Sequence, residues 1–402
     1  LNGGELASLL ADPDLAPVLA ALPQARLVGG AVRDALAGVA VTDIDIATPE
    51  PPESSIARLS EAGLRVVPTG LAHGTITAIS NHRPFEITTL RRDVATDGRH
   101  AQVAWTQDWR ADAARRDFTI NALSLDRDGG LHDYFGGRDD LAAGRVRFVG
   151  EAAQRIAEDY LRVLRFFRFY ARYARGAPDG EAVAAIAASV AGLAILSAER
   201  VWSEIKRILQ AEDPVAAVRL MERLGVLTAV LPEGADVARL EALVRQGAPA
   251  DPLLRMAALL GGDAQGFAQR LKLSTAEESR LLGWRAGPVP RGDDADLRRL
   301  LADEDADILI GRVWLADLPP DEGANRRARL ATIQKPIFPL EGRDALALGA
   351  APGPAVGAAL RRVRAWWMDG GCVATKPACQ SRLGEELSRG ECATPLGPPV
   401  TT

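Results

Sequence analysis

Cysteine is scarce in this chain of 402 residues: there are three, Cys372, Cys379 and Cys392, all near the C-terminal end. Their spacing matches no zinc pattern, and the four histidines lie at or before His132, so neither a zinc site nor a disulfide framework is expected. No stretch stays apolar for the ~18 residues that a membrane-spanning helix requires. Residues Leu1 to Leu10 lack the basic start and apolar run of a signal peptide. The expectation is a cytoplasmic protein with no membrane contact and no obligate protein partner. The G-x-G-x-x-G and G-K-[ST] signatures are also missing, which removes the dinucleotide fingerprint and the P-loop. No internal repeat is visible.

What is present is a long chain with 47% hydrophobic residues, enough to bury the cores of several domains. The net charge of −5 argues against a polyanionic partner, but only the face that meets phosphates matters. Between Arg145 and Arg175 eight arginines stand against Glu151, Glu158 and Asp159, so this segment is basic within an acidic protein. The first third alternates short β-rich runs with helices. Strands are expected at Ala25–Val28, Asp43–Ala47, Thr75–Ile79, Phe85–Leu90 and Ala122–Asp126. After about Gly150 the pattern is helical almost throughout. The fold class is therefore α+β, an α/β first part followed by all-α segments, with soft boundaries near Gly150, Pro232 and Pro320. The chain beyond Arg389 reads as disordered.

In Val41-Thr-Asp-Ile-Asp-Ile-Ala47 the two aspartates are two residues apart. On a strand, the carboxylates of Asp43 and Asp45 leave one face while Ile44 and Ile46 point into the core. Two hard oxygen donors suit Mg²⁺, which completes its shell with water and substrate phosphate oxygens. Upstream, Leu27-Val-Gly-Gly-Ala-Val-Arg-Asp34 reads as a strand, a glycine turn and a helix. Amides bared at Gly29 and Gly30 can approach a phosphate, and Arg33 adds a forked donor.

The run Gly29-Gly-Ala-Val-Arg-Asp-Ala-Leu36, followed by Asp43-Ile-Asp-Ile-Ala-Thr48, resembles the active-site signature of class II tRNA nucleotidyltransferases and bacterial poly(A) polymerases. Further matches follow in order: Phe85-Glu-Ile-Thr-Thr-Leu-Arg-Arg-Asp93, Thr96-Asp-Gly-Arg-His-Ala101, Ala114-Arg-Arg-Asp-Phe-Thr-Ile-Asn-Ala122, Asp133-Tyr-Phe-Gly-Gly137, Glu158-Asp-Tyr-Leu-Arg-Val-Leu-Arg165 and Ser197-Ala-Glu-Arg200. The resemblance implies a nucleotidyltransferase head (1–150), a nucleotide-selecting neck (151–232), a body (233–320) and a tRNA-binding tail (321–402). It implies addition of C, C and A to tRNA from CTP and ATP by two-metal phosphoryl transfer, with Asp43 and Asp45 as catalytic metal ligands and Mg²⁺ as the cofactor. Gly30, Arg33, Arg116, Arg165 and Arg168 are then the contacts to the triphosphate, and the 93–101 stretch a loop that helps switch selection from C to A.

The 3.6-residue period predicts one helix over 151–173, with Ile156, Tyr160, Val163, Leu164, Phe167, Tyr170 and Ala171 buried and the arginines opposite. Asp159 only accepts hydrogen bonds and Arg162 only donates them. Together they match the amino donor and ring-nitrogen acceptor of cytosine or adenine, and mismatch uracil and guanine, whose order is reversed. This pair resembles the family's protein template for base choice.

Glu86 is a candidate third acidic group, and Asp117 and Asn121 are expected to brace the nucleotide pocket. Ser197 reads as a helix cap with Glu199 in the first turn. His132-Asp133 lacks the further histidines of an HD phosphohydrolase, and Trp366-Trp367 reads mainly as core. A poly(A) polymerase, a CC-only or A-only enzyme, and an inactive RNA-binding protein stand as alternatives. The Pro68-Thr-Gly-Leu-Ala-His-Gly-Thr-Ile-Thr77 run, which resembles the CCA-adding form, speaks against the first, Asp97-Gly-Arg-His-Ala101 against the second, and the retained Asp43 and Asp45 against the last.

Overall fold

The computed structural model describes residues 3–96 and 101–391. The core of the Asp97-Gly-Arg-His100 loop, Cys392 and nearly all of the chain beyond Arg389 lie outside the described residues.

Among the described residues nine strands all fall in the first third: β1 (Arg26–Val28), β2 (Asp45–Thr48), β3 (Arg65–Gly70), β4 (Thr75–Ser80), β5 (Arg83–Thr89), β6 (Arg91–Thr96), β7 (Ala101–Trp105), β8 (Ser124–Asp126) and β9 (Leu131–His132). Seven of them form one sheet in the order β3-β4-β5-β2-β1-β8-β9, while β6 and β7 make a separate hairpin. Only β2 and β5 run parallel in the large sheet, with Asp45 opposite Glu86. In β4 buried and part-exposed residues alternate, Ile76, Ala78 and Ser80 facing inward, as a sheet with one covered face requires. The rest of the described chain is helical, so the α+β expectation holds.

Two expectations about elements are corrected. Asp43 precedes β2 and is not in the ladder, although the alternation it belongs to persists: Asp43 and Asp45 are exposed, Ile44 and Ile46 buried. The single helix expected over 151–173 is two helices, Ala152–Glu158 and Leu161–Tyr173. Between them Asp159 is extended, at φ −158° and ψ 108°, and its carboxylate accepts from the Leu161 amide at 3.1 Å. An aspartate offers the backbone this alternative to continuing a helix. Tyr160, next in the break, packs its ring over Gly192, where a Cβ would lie only 1.9 Å from the ring.

Of the stripe foreseen for this region, Ile156, Val163, Leu164 and Phe167 are buried, joined by Leu161, Phe166, Phe169 and Tyr173. Phe118 and Phe148 from the sheet region pack on the Leu161–Tyr173 helix, Phe148 stacked on Phe166 and Phe118 edge-on to Phe169 with centroids 5.2 Å apart, while Phe118 and Phe148 lie 4.8 Å from each other. One apolar core thus runs from Leu15 to Trp284, across the change from sheet to helices. Smaller cores follow, one over Leu297–Leu330 and one over Leu340–Leu383. Trp367 lies in the last of these, against Phe338, while Trp366 is exposed. Among the described residues no helix is long and apolar enough to cross a membrane.

Candidate active site

Strand β1 ends at Gly29, whose φ of 66° suits a residue without a side chain, and the helix Gly30–Ala37 starts directly after it. A Cβ on Gly29 would lie 3.1 Å from an Arg116 nitrogen, so the turn is bare where that guanidinium approaches. Asp45 enters from the neighbouring strand, paired with Val28 of β1. Although the residue is exposed at the surface, its carboxyl is partly desolvated within the cleft, which raises its pKa, with Arg116 opposing and the Asp43 charge adding to the rise.

One cleft of about 1550 Å³ is lined by Gly29, Gly30, Arg33, Asp43, Asp45, Arg116, Asp117, Asn121, Asp159, Arg162, Arg165 and Arg168. All the expected site residues except Glu86 therefore share one surface. The volume exceeds the ~300–1,000 Å³ of a small-molecule pocket, which leaves room for a second, larger ligand beside a nucleotide. Glu86 is exposed and stands beside Asp45 in the ladder. Among the described residues no three His, Cys, Asp or Glu side chains gather closely enough to hold a metal ion.

The arginines do not stand free. Arg33 is buried: it donates to Asp34 at 2.9 Å and to Asn121, with its guanidinium over the rings of Phe169 (5.0 Å) and Tyr173 (4.8 Å). The forked donor expected in the first helical turn thus lines the cleft with its guanidinium already engaged. Arg116 is 3.3 Å from Asp112, and burial lowers its pKa against the pull of that carboxylate. Arg165 donates to Asp117 at 2.6 Å. Burial would raise the Asp117 carboxyl, but Arg165 and the Asn121 amide at 2.9 Å outweigh it and hold the acid below its usual range. Arg168 meets the buried Glu204 at 3.1 Å, and burial together with Arg165 brings its pKa down to about 10, still charged at neutral pH.

Asp159 and Arg162 are not paired with each other. Arg162 donates to Glu158 and to the Arg155 carbonyl, the latter at 2.8 Å, while Asp159 accepts from Arg200 at 2.7 Å. Both still face the cleft. Asp117 and Asn121, expected to brace the pocket, are buried in its lining and bonded to each other at 2.9 Å.

Sequence reasoning passed over Phe169, Tyr173, Arg200 and Glu204. Arg200 stood inside a matched motif and could have been found there. Glu204 follows one helical turn later, so an i, i+4 reading of that helix would have reached it. Burial pushes the Tyr173 hydroxyl up to about 12, Arg33 opposing and its hydrogen bond to Asp34 reinforcing. Ser197 occupies the cap position of the Ala198–Leu209 helix but makes no side-chain cap bond, and Glu199 pairs with Lys272 at 2.7 Å. His132 bonds Asp126 at 2.7 Å, and Asp133 accepts from the amides of Phe135, Gly137 and Arg138, a turn-holding role.

Residues 25–147 match the poly A polymerase head domain, and residues 177–237 match the probable RNA- and SrmB-binding site of polymerase A. The CCA tRNA nucleotidyltransferase 1, mitochondrial, of Danio rerio is 37% identical over 356 residues, covering 85% of this chain and 83% of that protein. The Homo sapiens protein of that name is 37% identical over 370 residues, covering 86% and 83%. A Bacillus stearothermophilus CCA-adding enzyme solved with CTP shares the fold, with a TM-score of 0.73 at 24% identity over 95% of this chain and all of that one. With full-length relatives this similar and the signature residues gathered in one cleft, the chain belongs to the tRNA nucleotidyltransferase family.

Proposed function

We propose that this protein adds C, C and A to the 3′ end of tRNA from CTP and ATP. One observation carries the reading: the carboxylates of Asp43 and Asp45, the Gly29–Gly30 turn and the Asp159 and Arg162 side chains line one cleft that is larger than a nucleotide needs. The named activity of the 37% identical relatives supports it, as do related structures described with tRNA, ATP and CTP.

Asp43 and Asp45 fit Mg²⁺: they are two hard oxygen donors on one face, their mutual repulsion is relieved by a cation, and two carboxylates are what Mg²⁺ ordinarily takes from a protein. Bound there, the metal supplies Lewis-acid stabilisation of the α-phosphate and eases loss of the proton from the attacking 3′-hydroxyl. Glu86 neighbours Asp45 on the adjacent strand but lies outside the cleft lining, so the metal is assigned to the two aspartates. The chain's own side chains do the rest. Gly30 opens a helix whose first amides face the cleft and suit a phosphate. Arg116, Arg165 and Arg168 each retain donors beyond those their carboxylates use and can share them with the triphosphate. Arg33, Asp117 and Asn121 hold these groups in place. Asp159 accepts from the amino group of cytosine or adenine, and Arg162 donates to the ring nitrogen once it exchanges Glu158 for the base.

Within this reading residues 1–150 form the catalytic head, 151–232 the selecting neck, 233–320 the body and 321–402 the tail that grips tRNA. A cytoplasmic working place belongs to the same proposal; the animal relatives are named as mitochondrial. Incubation with Mg²⁺ and tRNA lacking its last three nucleotides, offering each nucleoside triphosphate alone and then CTP with ATP, tests it. Two additions from CTP and a third only when ATP follows is the expected result. Long tails from ATP alone would identify a poly(A) polymerase instead, and no extension at all would leave an RNA-binding protein.

A further inference from the structure

Two charged residues one turn apart on the Ala198–Leu209 helix each hold a cleft residue from a different part of the chain. Arg200 Nη2 donates to Asp159 Oδ2 at 2.7 Å, and Glu204 Oε1 accepts from Arg168 at 3.1 Å. Four residues apart, they occupy one helix face. Their partners lie at the break before the Leu161–Tyr173 helix and near that helix's middle, where the proposed function puts the base and the phosphates respectively. Arg200 is part-exposed and lines the cleft itself, whereas Glu204 is buried beneath it.

Asp159 sits in an extended segment between two helices, so no regular backbone pattern fixes its side chain. The Leu161 amide takes one carboxylate oxygen at 3.1 Å and Arg200 takes the other. A carboxylate tied at both oxygens presents its remaining lone pairs in one direction. Uracil is rejected only if that acceptor cannot swing away from the carbonyl it would face. Once Arg200 is removed, the carboxylate can turn and the mismatch is relieved.

We propose that Arg200 is a positioning residue for base selection: by holding the Asp159 carboxylate it makes that group discriminate between cytosine and uracil. The inference rests on the proposed function, in which Asp159 reads the base. Glu204 serves the other end of the same helix face, steadying Arg168 toward the triphosphate.

The test compares kcat/KM for CTP and UTP on tRNA lacking its end, with Mg²⁺, in the wild type, Arg200→Ala, Arg200→Lys, Asp159→Ala and Glu204→Gln. Arg200→Ala is expected to lower the CTP-to-UTP ratio by about tenfold, the scale on which one unpaired polar group discriminates. Its KM for CTP should move far less, and Arg200→Lys, which restores a cation, should recover part of the ratio. Glu204→Gln should raise KM for both nucleotides and leave the ratio alone. A wild-type ratio in Arg200→Ala alongside a relaxed ratio in Asp159→Ala overturns the role of Arg200 while sparing that of Asp159. A wild-type ratio in Asp159→Ala overturns the base-reading role itself. Should Arg200→Ala fail to fold, Arg200→Lys carries the decision: a point cation cannot reproduce the guanidinium geometry, so an undiminished ratio there counts against the proposal.

Discussion

With Ile44 and Ile46 anchored in the core, the side chains of Asp43 and Asp45 are committed to the cleft side, and their charges stand together beside the Gly29–Gly30 turn. Replacing Asp45 with alanine removes half of the proposed metal site without touching an apolar contact. Nucleotide addition by Asp45→Ala is expected to fall at least about a thousandfold, since metal stabilisation of a phosphoryl transition state amounts to several kcal/mol. Affinity for tRNA, measured by filter binding, should stay within a few fold, because the proposed function puts the RNA on the helical segments and not on the metal pair. Turnover near wild type would remove the metal role from this residue. The aspartates were legible in the sequence because their two-residue alternation with isoleucine is local. The partners of the arginines were not. Arg33 meets Asn121, Arg165 meets Asp117 and Asp159 meets Arg200, contacts set by how distant segments cross, which no spacing along the chain encodes.

At the scale of elements, hydrophobic period found the helical stretch over 151–173 but not the break inside it. The stripe through Ile156, Val163, Leu164 and Phe167 continues in phase across Asp159, so a helix drawn on period alone runs straight through a joint made by a side-chain hydrogen bond. Strands β3, β6, β7 and β9 escaped because they carry little alternation; β3 has no fully buried residue. Packing between helices offers a second test. Glu277 ends the Ser274 capping box of the Thr275–Arg285 helix and also accepts from Lys206 at 2.9 Å and Trp202 at 3.3 Å on the Ala198–Leu209 helix. Burial would raise its carboxyl, but the hydrogen bonds from Lys206 and Ser274 win and bring its pKa down to about 2. An acid whose folded value lies below its unfolded value of about 4.3 stabilises the fold above that unfolded value, and the contribution is lost as pH falls through the folded value. Glu277→Gln, which keeps the cap, should cost about 1–2 kcal/mol at pH 7 after allowance for solvent screening. In urea titrations the gap to wild type should narrow as pH drops from 5 toward 2; a gap independent of pH would mean that the charge contributes nothing.

For the whole molecule, the order of parts was readable and their energetic grouping was not. The change from sheet to helix near Gly150 is where composition put it, yet the apolar core passes through that point unbroken, because Phe118 and Phe148 pack on Phe166 and Phe169. Beyond Trp284 burial continues only in separate small clusters, the last built from eight buried residues between Leu340 and Leu383. Unfolding should therefore not be two-state. Amides between Val356 and Leu387 are expected to exchange with deuterium at lower urea than those of the Leu161–Tyr173 helix, and a single shared midpoint would show the clusters to be coupled. The pairing of the cleft arginines has its own consequence for traffic through the site. Arg33, Arg116, Arg162, Arg165, Arg168 and Arg200 each already face a carboxylate, so at these six the cleft is less like a magnet than like an ion exchanger, where an anion must displace the counterion in residence. Orthophosphate, able to outbid one carboxylate at most, should compete poorly with CTP, whereas a triphosphate bearing the right base trades several partners at once. On the proposed reading the exchange also runs backwards: after transfer the pyrophosphate lacks the base, and the resident carboxylates are the nearest competitors to reclaim the guanidiniums and clear the cleft for the next nucleotide.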